Sequence, residues 1–321
     1  MRLIQVVDKI RENKVTNFIF LPISKLCSFL KKEYTKRNPM YFASHSHKMF
    51  YGRKFDFSNP RTLHEKIYWM LYNTDVTLWG ELTDKVAVRD YIKKVGYGAI
   101  LNEVYKVYDN LPNEEELFSN LPNSYVMKTN HCGGAMGVYL VRDAQTVDRK
   151  KIYKGLKNAL AYDYGTLSGQ PHYQTIKPKV MVEKLLVDDA HPGQALFDYK
   201  FFCFHGKPVI INFLGNRGSD GHAKLDVVYN TNWEKIHWDK NDRCLEDAPK
   251  PQSFDEMLKI VSDLSKPFPF VRVDLYEING KPVFGEMTFT PGYDLFCGTY
   301  GDKVLKLGDL IDLSKVEVKH K

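Results

Sequence analysis

The chain has 321 residues, 43% of them apolar and 13% aromatic, which is enough for two or three packed units around a substantial core. Its net charge is +7, but residues 1–54 hold 12 Lys or Arg against 3 Asp or Glu, a balance of +9 that leaves −2 on the rest. A mildly acidic body argues against a nucleic-acid groove; no run approaches the ~18 apolar residues of a membrane helix, and the N-terminus lacks an apolar stretch ahead of a cleavage site.

Residues 1–37 read as two helical pieces broken at Pro22, with a mixed apolar face (Ile4, Val7, Ile10, then Leu26, Phe29, Leu30). Two readings stay open for this basic segment: an arm that meets an anionic surface, or a solvated helix face. His45 and His47 have metal-like spacing but no acidic or cysteine companion, so no metal is assigned to them. The stretch RTLHEKIYWMLYN (61–73) places Leu63, Ile67, Met70 and Leu71 at helical spacing, and TDKVAVRDYIKKVG predicts a second helix capped by Thr83 and stopped at Gly96.

From 124 the pattern changes to SYVMK, a short strand, then the glycine-rich turn HCGGAMG and the returning strand VYLVRD. A lysine-rich helix follows, then the buried strand PKVMVEKLLVDD. Next come DYKFFCFHGKPVIINFLG and DVVYNTNWEKIHW, strands with turns at His205-Gly206 and 230–232; SFDEMLKIVSDLSKPF is an amphipathic helix. The hairpin VRVDLYEINGKPVFGEMTFTPGYD and a short helical segment complete the chain. Helices first and then two β-rich units with interposed helices make an α+β pattern. Five scattered cysteines without C-x-x-C spacing fit a reducing, cytosolic compartment.

The last hairpin carries two acids, Asp274 and Glu286, in apolar strands. A two-residue loop with unbroken strands would send them to opposite faces. A three-residue loop with Gly280 left-handed and bulged puts Arg272, Asp274, Phe284, Glu286 and Thr288 on one face and Val273, Leu275, Val283, Gly285 and Met287 on the other. Two carboxylates about 4 Å apart repel by roughly 4 kcal/mol at an effective dielectric of 20, enough to drive one to protonate unless a cation intervenes. Magnesium fits, and so does a cross-strand ion pair from Arg272 to Glu286.

Elsewhere, Lys128 ends a strand at the mouth of the glycine-rich turn, which is either a phosphate cradle or a plain turn. Glu183 is a nucleotide-facing acid or a stray one in a buried strand, and Lys200 is a ligand or a snorkelling lysine. Arg217, His222 and Lys224, in GNRGSDGHAKLD, would bind an anionic acceptor or simply be solvated.

Taken in order, T-D-K (83–85), V-M-K-x-N-H with its glycine loop, V-E-K-L-L, D-Y-K-F-F-C-F and V-R-V-D-L-Y…F-G-E-M-T-F-T-P-G resemble the ATP-grasp superfamily, in its TupA-like, teichuronopeptide-biosynthesis branch, over about residues 55–313. The resemblance implies an ATP-grasp fold: two α+β lobes with antiparallel sheets clamping ATP, preceded by a helical N-terminal region. The expected division is 1–54, a basic helical extension; 55–122, a helical and α-β region; 123–186, the small lobe with its flap; and 187–321, the large lobe with the metal-binding hairpin.

The same resemblance implies the cofactors ATP and Mg2+. Lys85, Lys128, His131, Gly133 and Gly134 would meet the phosphates. Glu183 would face the adenine amine or ribose, and Lys184 and Leu186 would form the adenine hinge. Lys200 would reach the nucleotide from the other lobe, and Asp274, Glu286 and Thr288 would hold metal, Thr288 standing where the superfamily usually has Asn. Arg272, Lys128 and Lys200 are the implied catalytic set. The implied activity is a carboxylate-amine ligase that passes through an acyl phosphate and joins an amine or amino acid to a uronic acid of a bacterial surface polysaccharide, in the cytoplasm or at the inner membrane face. The alternatives are an ATP-grasp sugar kinase, a glycosyltransferase of the same pathway, and a non-catalytic binding protein. No D-x-D between strands favours the glycosyltransferase.

Overall fold

The computed structural model describes residues 29–30, 32–189, 195–217, 223–236, 247–293 and 302–319; for residues 216–217, 224 and 302–305 it describes the backbone alone. Most of the predicted N-terminal helical pair and His222 lie outside the described residues.

Helix α1 (Pro39–Tyr51) buries Ala43, His47 and Tyr51 on one face. His47 is enclosed, with Nδ1 2.9 Å from the Arg53 carbonyl, while His45 is exposed. Helix α2 (Leu63–Asn73) starts at a capping box, in which the Thr62 hydroxyl accepts from the Glu65 N–H and the Glu65 carboxylate accepts from the Thr62 N–H. The predicted helix at 83–96 is shorter than expected. Thr83 ends helix α3 (Thr77–Thr83), and α4 (Val88–Lys94) begins only after a turn. Asp84 organises that turn by accepting from the N–H groups of Val86 and Ala87, so Lys85 sits in a turn between two helices.

The first sheet has strands β1 (Val104–Tyr108), β2 (Tyr125–Thr129), β3 (Val138–Val141) and β4 (Val180–Lys184), in the order β1-β4-β2-β3. A short helix α5 (Glu114–Phe118) joins β1 to β2, and α6 (Arg149–Leu160) follows β3. Because strand residues alternate, Tyr125, Met127, Val180 and Val182 pack with Ile152 and Leu156 of α6. The opposite face presents Val126, Lys128, Met181 and Glu183. Between α6 and β4 lie a one-turn helix α7 (Tyr164–Ser168) and a 3-10 turn, Pro171–Thr175.

The second sheet runs β7-β6-β5-β8-β9, antiparallel throughout: β5 (Asp198–Phe204), β6 (Lys207–Arg217), β7 (Ala223–Asn230), β8 (Val271–Ile278) and β9 (Lys281–Thr288). Helix α8 (Phe254–Ser265) lays Met257, Ile260, Val261 and Leu264 in one core with Phe201, Val273 and Leu275. Helix α9 (Asp302–Asp309) lies against α2, and a 3-10 turn, Leu313–Lys315, follows it. Of the expected return strand after 232, the described residues, which run to 236, show the bridge from Tyr229 to Lys235.

The last hairpin corrects the sequence expectation in one respect. Its loop has two residues, Asn279 (φ 51°) and Gly280 (φ 73°), both left-handed, with Ile278 opposite Lys281. The irregularity falls in mid-strand instead, where the register shifts between Asp274 and Leu275 and Gly285 is the extra residue. A Cβ at Gly285 would stand 2.9 Å from the Asp274 carbonyl oxygen, a close backbone approach that suits glycine. The bulge returns Asp274 to a place opposite Glu286, as expected, but it turns Phe284 to the core beside Leu275 and sets Val283 opposite Tyr276.

Candidate functional site

The site grows from strand alternation. On β5, Tyr199, Phe201 and Cys203 are core, so Asp198 and Lys200 share the opposite face. Register then sets Lys200 across from Asp274, Asp274 across from Glu286, and Arg272 across from Thr288. The side chains close into one network. Arg272 donates from Nε to Asp274 Oδ1 (2.7 Å) and from Nη2 to Asp274 Oδ2 (2.8 Å), Glu286 Oε1 (2.6 Å) and Thr288 Oγ1 (3.0 Å). Lys200 Nζ lies 2.5 Å from Asp274 Oδ2 and 2.7 Å from Asp198 Oδ2. The Thr288 hydroxyl donates to Glu286 Oε1 at 3.1 Å.

A buried carboxylate is costly unless paired and hydrogen-bonded, and the planar guanidinium supplies a fork for Asp274. Burial nevertheless pushes the Asp274 carboxyl up to about 6, against the pull of Arg272 and then Lys200. Burial also acts to raise Glu286, but Arg272, Lys200 and Lys85 together bring it down to about 2. Lys85 therefore reaches this platform from the turn after α3. Its Nζ donates to the Cys132 carbonyl at 2.6 Å, and burial holds the ammonium below its usual range, with Glu286 opposing and Lys128 reinforcing that shift.

On the first sheet, Val126 lies opposite Glu183, which puts Lys128 and Glu183 on one face. Their side chains form an ion pair at 2.5 Å, so the Glu183 carboxylate is engaged by the lysine. The Lys184 N–H donates to the Glu103 carbonyl, and the Lys184 carbonyl accepts from the Asn102 side-chain amide. Leu186 is half-buried in the segment after β4. In the glycine loop, Gly134 and Gly137 are left-handed (φ 63° and 70°), and His131 is buried with Nε2 3.6 Å from Cys132 Sγ. Arg217 and Lys224 lie at the facing ends of β6 and β7, where only the backbone is described.

Magnesium takes one or two carboxylates and fills its shell with phosphate and water oxygens. Glu286, whose side chain is 39% exposed, and Asp274 opposite it supply such a donor pair, with the Thr288 hydroxyl beside them. Among the described residues no group of three or more His, Cys, Asp or Glu is placed to hold a metal, so an ion here would depend on oxygens brought by a nucleotide. Sequence reasoning missed Asp198, which D-Y-K alternation places beside Lys200.

Two antiparallel sheets, each presenting lysine and carboxylate on the face away from its helix, with an Arg-Asp-Glu hairpin and Lys85 beside it, make up the ATP-grasp class of fold. The chain belongs to the TupA-like ATP-grasp family, whose model matches residues 65–312. No curated protein matches the chain. Among solved structures it is similar to the D-alanine–D-alanine ligase of Bacillus anthracis complexed with ATP, at 17% identity and a TM-score of 0.44, over 74% of this chain and 66% of that one. It is also similar to the biotin carboxylase domain of Hydrogenobacter thermophilus 2-oxoglutarate carboxylase complexed with MgADP and bicarbonate (12%, TM-score 0.46, 74% of this chain and 47% of that one). A third is a D-cycloserine synthetase (14%, TM-score 0.39, 73% and 70%). The chain thus spans about two thirds or less of the length of the first two.

Proposed function

We propose that this protein is an ATP- and Mg2+-dependent carboxylate-amine ligase acting on a carboxylated sugar, a uronic acid of a bacterial surface polysaccharide, and an amine or amino acid. The observation that carries the reading is the convergence of Lys85, Lys200 and Arg272 on the opposed pair Asp274 and Glu286. Such a cluster neutralises and positions phosphoryl oxygens, and phosphoryl transfer asks little else of a protein. The acceptor carboxylate oxygen attacks the γ-phosphorus and ADP leaves; the amine nitrogen then attacks the acyl carbon, phosphate leaves, and the nitrogen loses a proton. Lys85 and Lys128 would hold the phosphates, Arg272 the transferring group, and the loop 131–137 would exclude water from it. Asp274 and Glu286, with the Thr288 hydroxyl beside them, would hold magnesium, which would supply neutralisation of phosphate charge. The sugar and the polysaccharide rest on family membership.

Mass spectrometry after incubation with ATP, Mg2+ and a panel of uronic acids and amino acids tests this. The expected product is an amide with stoichiometric ADP and phosphate. A stable phosphorylated sugar formed without amine would make the protein a kinase, and ATP binding without turnover on any pair would sink the ligase reading.

The division into a basic extension (1–54), a helical and α-β region (55–122) and two lobes (123–186 and 187–321) goes with this proposal, and so does a place at the inner membrane face. No helix among the described residues is long and apolar enough to cross a membrane. On α1, Met40, Tyr41, Lys48 and Met49 are exposed, the last at 70%, and Lys36 and Arg37 precede the helix. Apolar anchors among cations suit an anionic bilayer surface. At about 1 kcal/mol per basic residue, K36Q/R37Q/K48Q should weaken sedimentation with phosphatidylglycerol vesicles roughly 100-fold and leave phosphatidylcholine unaffected. Equal binding by wild type and triple variant would remove the membrane role.

A further inference from the structure

The segment from α7 through the 3-10 turn Pro171–Thr175 is wedged between the glycine loop and the hairpin. It is anchored on both sides. The Thr290 hydroxyl, just past β9, donates to Gln170 Oε1 at 2.5 Å. Trp79 of α3 stacks on Phe289 (5.0 Å between ring centres) and meets His172 edge-on, while a Cβ at Gly80 would stand 2.6 Å from the His172 carbonyl.

From this anchored wedge two half-buried rings, Tyr164 and Tyr173, stand 4.6 Å apart and tilted by 59°. Neither hydroxyl has a hydrogen-bond partner among the described residues. Tyr164 lies against Gly133, where a Cβ would come within 2.8 Å of its ring. Both phenols are raised, Tyr164 to about 12, first by burial and with Glu286 contributing; Arg272 opposes the shift at Tyr173. Geometry agrees: Thr290, which holds Gln170 of this wedge, is two residues past Thr288, the residue opposite Arg272, so the pair borders the Arg272 end of the site. The expected adenine hinge at Lys184 lies four strand residues from Val180, which is opposite Thr129 at the mouth of the loop, and that is about 13 Å away.

We propose that Tyr164 and Tyr173 form the acceptor subsite, a shelf that takes a hydroxylated ring bearing a carboxylate, with the carboxylate directed at Arg272. An apolar ring face beside a hydroxyl tip complements a pyranose, which has a C–H face and a hydroxyl rim. The acyclic chain of an amino acid has no such face. The distance from the hinge separates this shelf from the nucleotide base. The subsite rests on the ligase reading.

Calorimetry on the full chain tests the pair, first with AMP-PNP and Mg2+ and then, on the loaded protein, with methyl glucuronide, methyl glucoside and glutarate. Wild type should bind the glucuronide at least tenfold tighter than either of the others. Tyr164→Ala and Tyr173→Ala should each weaken it at least tenfold, and the Phe variants, which keep the packing, about threefold, with AMP-PNP affinity within twofold in all. Unchanged glucuronide affinity in the Phe variants and in any Ala variant that folds overturns the subsite. AMP-PNP affinity lost in the Phe variants would give the rings to the nucleotide, and glutarate bound as tightly as the glucuronide would remove the ring requirement; either result overturns the proposal. So does loaded wild type that binds no glucuronide. A wild type that binds no AMP-PNP sinks the ligase reading beneath it, which is a separate and recognisable result.

Discussion

On the proposed ligase reading, Arg272→Lys is expected to lower turnover roughly 10²- to 10³-fold, the scale of losing a preorganised donor to a charged transition state, while the protein stays folded. Arg272 reaches three residues at once: both oxygens of Asp274, Glu286 Oε1 and the Thr288 hydroxyl, all within 3.0 Å. That requires a planar fork with several N–H groups in fixed directions. A lysine keeps the positive charge but has one compact head, already duplicated at Asp274 by Lys200. The charge balance survives and the geometry does not, so the loss should appear in kcat with KM for ATP changed little. Steady-state ADP release, with thermal unfolding as the control, reads this directly. Turnover within threefold of wild type would mean that Arg272 holds the hairpin together and nothing more.

The parts of the fold that were legible before the structure share a physical cause. The helix at 61–73 could be read because its apolar spacing and its Thr62-Glu65 box are local. The two faces of β5 and β8 could be read because alternation is local too. Two local signals bear on the hairpin's irregularity: Asn-Gly favours a two-residue turn, and glycine inside a strand marks a bulge. A bulge in the loop and one at Gly285 both bring Asp274 opposite Glu286, and only the second turns Phe284 to the core, so alternation pairs the acids without fixing the face of Phe284. Thr83 looked like a cap by residue type, but α3 had already recruited it, and the turn belongs to Asp84. Tyr164 and Tyr173 sit in short irregular pieces without period, and tertiary contacts from Trp79 and Thr290 place them. Asp198 and Lys200 stand between these extremes, since their spacing is local and their meaning comes from the strand next door.

Acid should destabilise this protein through two histidines that take no part in the site, and His172→Leu should relieve a measurable share. His172 is fully buried at the Trp79 contact, and burial depresses it to about 3. His64, also fully buried, lies 3.9 Å from the Tyr293 ring centre with Nδ1 3.0 Å from the Tyr51 hydroxyl, and burial is again the first cause of a value near 3. An unfolded histidine protonates near 6.5. Between about 6.5 and 3 the unfolded chain therefore binds protons that the folded one refuses, and stability is lost as pH falls through that window. Each group contributes about 1.4 kcal/mol per pH unit, or roughly 2 kcal/mol by pH 5, against a typical total of about 5–15. Asp274 acts in the opposite sense. Its folded value of about 6 lies above the unfolded carboxyl, so below pH 6 the folded state holds a proton more and one histidine's slope is offset down to about 4. The wild-type curve alone thus mixes signs, and the comparison with His172→Leu isolates one group because every other titration is common to both proteins. Urea midpoints at pH 7.5 and 5.0 should show the variant gaining about 2 kcal/mol on wild type over that interval, whatever the cavity or packing cost at neutral pH. A difference between the two proteins that does not change with pH would mean that His172 is protonated, or wet, in the folded state.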